Sequence, residues 1–453
     1  MKADSHQDNR PRLEPAVRQP GVPLPEATVR AYVSRFVQRR EAFLSLADRH
    51  GSPLYVFDES ALRRRARTFR RAFERVFPLV SCYFAVKSNN HPLVAGTVLN
   101  EGFGLDTSSG VELQAALTAG ADDVVLSGPG KTRAELTLAV ENADRVTVLI
   151  DSVGELRRLA DIARERHTPV RAGVRIAPPS GGWLKFGVRL DRLRSFWEEA
   201  GQCTFVRLGG LQFHTSWNHG PARQIETIGA IDRELRQWPR RLRARIEFLD
   251  VGGGFWPPQG EWLLDAAGGG PRLVPAEPID VFARQLAARL QESVLDRSTL
   301  KLCLEPGRWI ANDAMHLIVT VVDKKENDLA IVDAGTNAIG WERFESDYAP
   351  LINLSRPALV ERRCHVHGSL CTPHDVWGSA YWGDDLMPGD VLLVPDQGAY
   401  TYSLRQQFIK QVPAVVSLDS TTDKTGTPTA LVAAVDYQSG HPQGWDRSQT
   451  ATN

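Results

Sequence analysis

The sequence predicts an α/β fold: a parallel (β/α)8, TIM-like barrel followed by a second, mainly antiparallel β domain. Three observations carry that expectation. Between Leu79 and Trp309, eight strand-like apolar runs alternate with segments whose apolar residues recur at i, i+3 and i+4. Beyond Trp309 the helical spacing gives way to β-rich runs broken by Pro and Gly. The length, 453 residues with 42% hydrophobic, supports a large core and a second unit besides a barrel.

Taken in order, residues 1–48 form an N-terminal arm and helix. The first 25 or so are rich in Pro, Arg and Gln and read as a flexible arm. Val29, Tyr32, Val33, Phe36, Phe43 and Leu44 then recur at helical spacing, enough for one or two amphipathic helices. Residues 49–75 are a segment that partly joins the β domain through the strand "LYVFD". Residues 76–312 are the barrel, its strands read from "LVSCYFAVK", "GFGLDTSSG", "DDVVLSGPG", "RVTVLID", "VRAGVRIAP", "RLGGLQFHTS", "RIEFLDVGGGF" and "KLCLEPGRW". Residues 313–418 are the β domain, with "AMHLIVTVVDKK", "DLAIVDAG", "DVLLVP" and "FIKQVPAVVSL" as strands, and residues 419–453 are a polar tail.

Lys plus Arg and Asp plus Glu both number 54, so no global field draws in nucleic acid or an anionic membrane. The expected partners are small molecules or another protein chain. The five cysteines show no C-x-x-C spacing, so neither a disulfide framework nor a zinc site is expected. The N-terminus has no apolar signal core and no run reaches about 18 apolar residues, which makes a cytoplasmic protein the expectation. "HVH" at 365–367 places two imidazoles on one strand face without a third ligand, and "SGPGKT" lacks the full phosphate-loop spacing. Both are read as structural.

Lys87 ends an apolar strand, where a charged group must reach water or find a partner. A desolvated lysine is also an amine nucleophile suited to Schiff-base chemistry. In a barrel the C-terminal strand ends meet at one mouth. There they gather Lys87, Asp106, Arg175, His214 with Ser216, the turn Gly252, Gly253 and Gly254, and Glu305 with Arg308. Glycines let backbone N–H groups approach phosphate, and a buried Glu305 needs a protonated partner such as a pyridinium nitrogen. The set converges on pyridoxal 5′-phosphate (PLP).

These motifs resemble those of the barrel-fold (fold type III) PLP-dependent amino-acid decarboxylases, which act on diaminopimelate, ornithine or arginine. The likeness runs over about residues 50–415. It implies that Lys87 in "FAVKSN" is the Schiff-base lysine, with Asp106 in "GLDTSSGVEL" near it and Arg175 in "VRIAP" beside the cofactor's hydroxyl. It further implies that His214 in "FHTS" stacks on the ring, that "GGGF" and "EPGR" (Glu305, Gly307, Arg308) are the phosphate loop and the ring-nitrogen segment, and that Tyr400 in "GAYTYS" reaches the phosphate. From "GSLCTPHD" it implies Cys371 as the acid that protonates the α-carbon in the neighbouring subunit's site and Asp375 close to substrate or cofactor, hence a homodimer with shared active sites.

The sequence departs from that family at three places. "HTSW" stands where H-x-G-S is usual, which puts Ser216 and Trp217 at the glycine and serine positions. Thr372 replaces the acidic residue that follows the cysteine. "WERFESDY" replaces R-P-x-L-Y. With no carboxylate for a distal ammonium, and with Trp217, Trp341 and Arg343 present, a bulkier, acidic or conjugated amino-acid substrate of a secondary pathway such as siderophore assembly is expected. Thr372, Asp375, Arg343 and Trp217 are the expected substrate contacts. An amino-acid racemase or epimerase on the same fold, or a non-catalytic homologue, are the alternatives.

Overall fold

The computed structural model describes residues 21–179, 185–264, 270–295, 298–326, 328–340 and 347–418. The arm at residues 1–20, the tail at 419–453 and the expected substrate residues Trp341 and Arg343 lie outside the described residues.

Eight parallel strands close into a barrel: β1 (Val80–Ala85), β2 (Gly104–Thr107), β3 (Val124–Leu126), β4 (Val146–Ile150), β5 (Val170–Arg175), β6 (Val206–Gln212), β7 (Phe248–Asp250) and β8 (Lys301–Leu304). β8 pairs with β1 and β7, completing the ring. The eight apolar runs of the sequence correspond to these strands one for one. Helix starts between them are set by short polar side chains. Ser109 accepts from Glu112 N–H, Ser152 accepts from Glu155 N–H, and Thr132 and Glu135 form a reciprocal capping box.

Along each strand alternate side chains point into the barrel. Tyr83, Val125, Leu149 and Cys303 form an interior cluster against which Phe248 packs. Room for that ring comes from Gly210 and Gly173, where an added Cβ would lie 1.8 Å and 2.9 Å from it. The lower barrel is therefore filled by side chains, and polar residues are left to the C-terminal layer.

The second domain is a mixed sheet built on the long strand Met315–Glu326. Its first half pairs antiparallel with Leu54–Phe57 and Val391–Val394, and its second half with Leu329–Val332. Leu329–Val332 continues through Glu361–His367 to Val376–Trp382, and Ala414–Ser417 adds a parallel edge to Leu54–Phe57. The segment at 49–75 serves both units. Its strand joins this sheet, while its helix Glu59–Glu74 lies on the barrel, Phe69 meeting Phe255 at 5.0 Å and Trp309 at 5.3 Å. Helices Glu26–Val37 and Arg40–His50 cover the sheet through Val33, Phe36 and Phe43, packed with Val56, Ile318 and Leu393.

One small sheet has no counterpart in the sequence reading. Val22–Pro23, Arg272–Val274 and Glu261–Leu263 pair with one another within and beside the insertion that follows β7. Strands of two or three residues are too short to show a period of two.

His316, 2% exposed, sits edge-on to Phe36 and Phe43, and its Nδ1 accepts from Asp396 N–H at 3.1 Å. Burial pushes its pKa from 6.5 down to about 4. Between those values the unfolded chain binds a proton that the folded chain refuses, so stability falls as pH falls through that window. His316→Asn is expected to remove up to about 3 kcal/mol of that loss. Urea unfolding at pH 7 and pH 5 of both proteins checks it; equal slopes against pH would contradict it.

Candidate active site

Lys87 leaves β1 in a single 3-10 turn, Val86–Ser88. The turn is clamped: Ser88 Oγ donates to Ala85 O at 2.7 Å and Tyr400 N–H donates to Ser88 O at 2.8 Å. Gly307 of "EPGR" passes so close that a Cβ there would lie 2.8 Å from Ser88 Oγ. Held in this way, Lys87 Nζ meets Asp106 Oδ2 at 2.6 Å, with a third of the lysine side chain exposed at the barrel mouth. Ser127 at the end of β3 donates to the other Asp106 oxygen. Burial alone would lower the Lys87 pKa. The Asp106 carboxylate, with Tyr400 and Glu305 behind it, outweighs burial and holds the ammonium above its usual value.

Glu305 follows β8 and is 3% exposed. Its Oε1 accepts from Gln212 Nε2 at 3.2 Å and its Oε2 lies 3.7 Å from His214 Nδ1. That His214 nitrogen accepts from Gly253 N–H at 3.1 Å, which assigns the proton of the neutral ring to Nε2. Burial raises the Glu305 pKa, but His214, Lys87 and Arg175 together hold it below the usual carboxylate range. The mouth of the barrel thus holds an ionised carboxylate facing an ammonium across a mostly buried space.

Arg175 ends β5, where its Nη1 reaches Ser127 O at 3.4 Å and its guanidinium lies 4.3 Å from the Phe186 ring. Gly187 turns the "KFGV" segment at φ 80 and donates to Asp151 Oδ1, which sets Phe186 under that arginine. Arg308 is stacked between Trp256 and Tyr400, 4.8 Å from each ring. A cavity of about 510 Å³ opens beside this pair, between barrel and β domain, with Trp262, Tyr348 and Trp377 on its wall.

Where the sequence predicts a glycine turn open to a phosphate, the turn packs against other backbone. Gly252 and Gly254 have φ of 68° and 76°, as a tight turn requires. The first two amides, however, do not point at open space for a phosphate: Gly252 N–H donates to Asp250 Oδ1 at 2.8 Å and Gly253 N–H to His214 Nδ1. The residues are glycine because other backbone lies against them. An added Cβ would sit 2.5 Å from Phe213 O, 2.3 Å from Glu305 O and 2.2 Å from Thr215 O in turn.

The "HTSW" loop is tied to this turn by Asn218, whose Nδ2 donates to Thr215 O and Gly253 O, both at 2.9 Å. Trp217 takes φ 54°, and Ser216, half-buried, offers its carbonyl to Arg223. The position of Asn218 explains how the loop keeps its shape without the usual glycine and serine.

Cys371 is exposed at the tip of the turn between Glu361–His367 and Val376–Trp382, with Thr372 half-buried beside it. Asp375, expected at the substrate, is instead 1% exposed within its own loop. Its Oδ1 accepts from Thr336 N–H and its Oδ2 from Leu370 N–H, both at 2.7 Å. With both oxygens engaged by backbone, this carboxylate shapes the turn that displays Cys371.

Ser127 stands among the polar strand ends that the sequence brings to the barrel mouth, whereas Gln212, Asp250 and Asn218 carry no such signal. Gln212 and Asp250 lie on the inward face of β6 and β7, two residues before His214 and Gly252, and alternation counted back from those two positions finds them. Lys131 of "SGPGKT" is buried in an ion pair with Glu155 at 2.7 Å, a structural role. Among the described residues no group of three His, Cys, Asp or Glu side chains could hold a metal ion.

An amine in reach of a barrel-mouth carboxylate, a second buried carboxylate kept ionised and a histidine beside it fit a PLP site. Lys87 can bind the aldehyde carbon and Glu305 can face the ring nitrogen. The fold and this site define a barrel-type PLP enzyme. Residues 59–312 match the family described as pyridoxal-dependent decarboxylase, pyridoxal binding domain, and the chain belongs to that family. It is a PLP-dependent amino-acid carboxy-lyase. It is similar to the diaminopimelate decarboxylase of Methanothermobacter thermautotrophicus, 28% identical over 81% of this chain and 86% of that protein. It is likewise similar to the L-glutamyl-[BtrI acyl-carrier protein] decarboxylase of Niallia circulans, 26% identical over 79% and 86%. The crystal structure of diaminopimelate decarboxylase from M. jannaschii in complex with L-lysine shares the fold, with a TM-score of 0.72 and 23% identity over 82% of this chain and 88% of that one. These relatives are decarboxylases, which sets aside the racemase and non-catalytic readings.

Proposed function

We propose that this enzyme decarboxylates an α-amino acid whose side chain is acidic, bulky or conjugated rather than ended by a free ammonium, within a secondary biosynthetic pathway in the cytoplasm. The observation that carries this reading is the loop around Cys371. Thr372 stands beside the cysteine, and the loop's one carboxylate, Asp375, is saturated by Thr336 and Leu370 amides. An ammonium arriving there would be desolvated without a partner. The relative from Niallia circulans, named for a glutamyl group on a carrier protein, is consistent with a conjugated substrate.

In this reading bound PLP supplies the electron sink for the pair left when the bond from Cα to the carboxylate breaks. The chain does the rest. Asp106 orients Lys87 Nζ and takes part in its deprotonation, which the amine needs before it can act as a nucleophile. With the cofactor bound, Glu305 would hold a proton at the ring nitrogen, His214 would lie against the ring and Arg175 would face its hydroxyl. Ser216, Gly254, Gly307, Arg308 and Tyr400 would hold the phosphate. Cys371, exposed on its turn, reaches the site of a second copy and delivers the proton that replaces CO2 on Cα, so the working unit is a homodimer with shared sites.

Carbon dioxide release over a panel of amino acids tests the substrate reading. Glutamate-like, acylated or carrier-bound amino acids are expected to exceed lysine, ornithine and meso-diaminopimelate by about 10- to 100-fold in kcat/KM, the worth of one charge-assisted hydrogen bond. Turnover confined to those three would overturn it.

A further inference from the structure

The layer of side chains above the barrel plug holds three carboxylates that are each 3% exposed or less: Asp106, Asp250 and Glu305. Among the described residues Lys87 is the ammonium within hydrogen-bond reach of these carboxylates, through Asp106. Arg175 and His214 act on Glu305, while no cation is among the groups that act most on Asp250. Three buried carboxylates of which one has no cation beside it is an arrangement that a low-dielectric interior does not sustain with all three ionised; one of the three must carry a proton.

The hydrogen bonds show which. Asp106 accepts from Lys87 and Ser127, and Glu305 accepts from Gln212. Asp250 Oδ1 accepts from Gly252 N–H, but its Oδ2 is buried without a donor. Gln212 Oε1 is likewise buried without a donor. The two residues are register partners on adjacent parallel strands, Gln212 on β6 beside Asp250 on β7, so their side chains rise side by side on the inner face. Two acceptors left over on neighbouring side chains are both satisfied by one hydrogen.

We propose that Asp250 is a neutral carboxylic acid whose O–H donates to Gln212 Oε1, fixing the Gln212 amide so that its N–H is aimed at Glu305 and leaving Glu305, with Asp106, ionised. Asp250 is in this sense a positioning residue. Burial, and after it the Glu305 charge, pushes its carboxyl well above the usual range, and the Asp250 side chain also lies within hydrogen-bond reach of Glu305, so the same proton has a second acceptor beside Gln212. The other titratable groups facing it are Cys303 on β8, Cys82 on β1 and Tyr83 on β1, all themselves pushed up by burial and uncharged, together with Asp106. None of these supplies a cation that would hold Asp250 ionised.

The inference rests on the reading that Glu305 faces the ring nitrogen, but its principal test does not. Infrared difference spectra of wild type against Asp250→Asn, recorded at neutral pH with and without PLP, should show the C=O stretch of a protonated carboxyl in the wild type alone. A spectrum without that band overturns the proposal. In the loaded enzyme Asp250→Ala is expected to lower kcat/KM by about tenfold or more, since it frees the Gln212 amide to turn, and Asp250→Asn, whose amide N–H can replace the O–H, to recover most of that loss. An Asn variant as impaired as the Ala variant would mean that the residue acts by charge, and would sink the idea. If the infrared band is present while Glu305→Gln leaves catalysis untouched, the Glu305 reading fails and the Asp250 assignment stands.

Discussion

Lys87→Ala is expected to abolish decarboxylation, by at least about a thousandfold, because it removes the amine that is held beside Asp106 at the barrel mouth to bind the cofactor covalently. Among the described residues the only other lysine buried near the strand ends, Lys131, is committed to Glu155 and Leu149 O. Borohydride reduction should attach PLP to the wild-type chain and fail to do so with the variant. Loss of the charge leaves Asp106 with Ser127 alone, so the variant should also bind PLP more weakly. The same variant tests the shared site. Mixed with an inactive Cys371→Ala enzyme under exchange conditions, it should regain about a quarter of wild-type activity, since half of the random dimers then hold one intact site. Activity that never returns on mixing would place Cys371 and Lys87 of one chain in the same site, or leave Cys371 out of the reaction.

Glu305→Gln is expected to lower kcat by about a hundredfold or more, with a much smaller change in KM. The amide is nearly isosteric and can still accept from Gln212, so folding should persist. What disappears is the negative charge that would keep a proton on the ring nitrogen, an interaction that matters most as charge builds in the transition state. Stopped-flow traces should show the carbanionic absorbance reduced and proton exchange at Cα slowed. Unchanged kcat would remove Glu305 from the mechanism.

Much of this was legible in the sequence for a definite physical reason. A parallel barrel buries both faces of every strand, so each strand is an apolar run, and the site residues are the polar interruptions at its end. Lys87, Asp106, Arg175, His214 and Glu305 are all found in that way. The glycine turn is visible in the sequence but its surroundings are not: three glycines permit donors to face phosphate and equally permit other backbone to crowd in, and here Phe213 O, Glu305 O and Thr215 O lie against them. Asp375 was misplaced for a similar reason. A carboxylate near a cysteine in sequence is drawn to whichever N–H groups the fold brings to it, here those of Thr336, far off in the chain, and Leu370.

By itself, then, the sequence determined the fold class, the cofactor chemistry and the strand ends that carry it, because hydrophobic periodicity and the polar residues that break it are local properties. Only the tertiary structure decided which hydrogen-bonding groups remain available. That Gly252 and Gly253 are engaged, that Asn218 ties the "HTSW" loop to the glycine turn, and that Asp250 and Gln212 stand side by side on neighbouring strands, each with an unpaired acceptor, depends on contacts between strands distant in the chain, which no local pattern encodes.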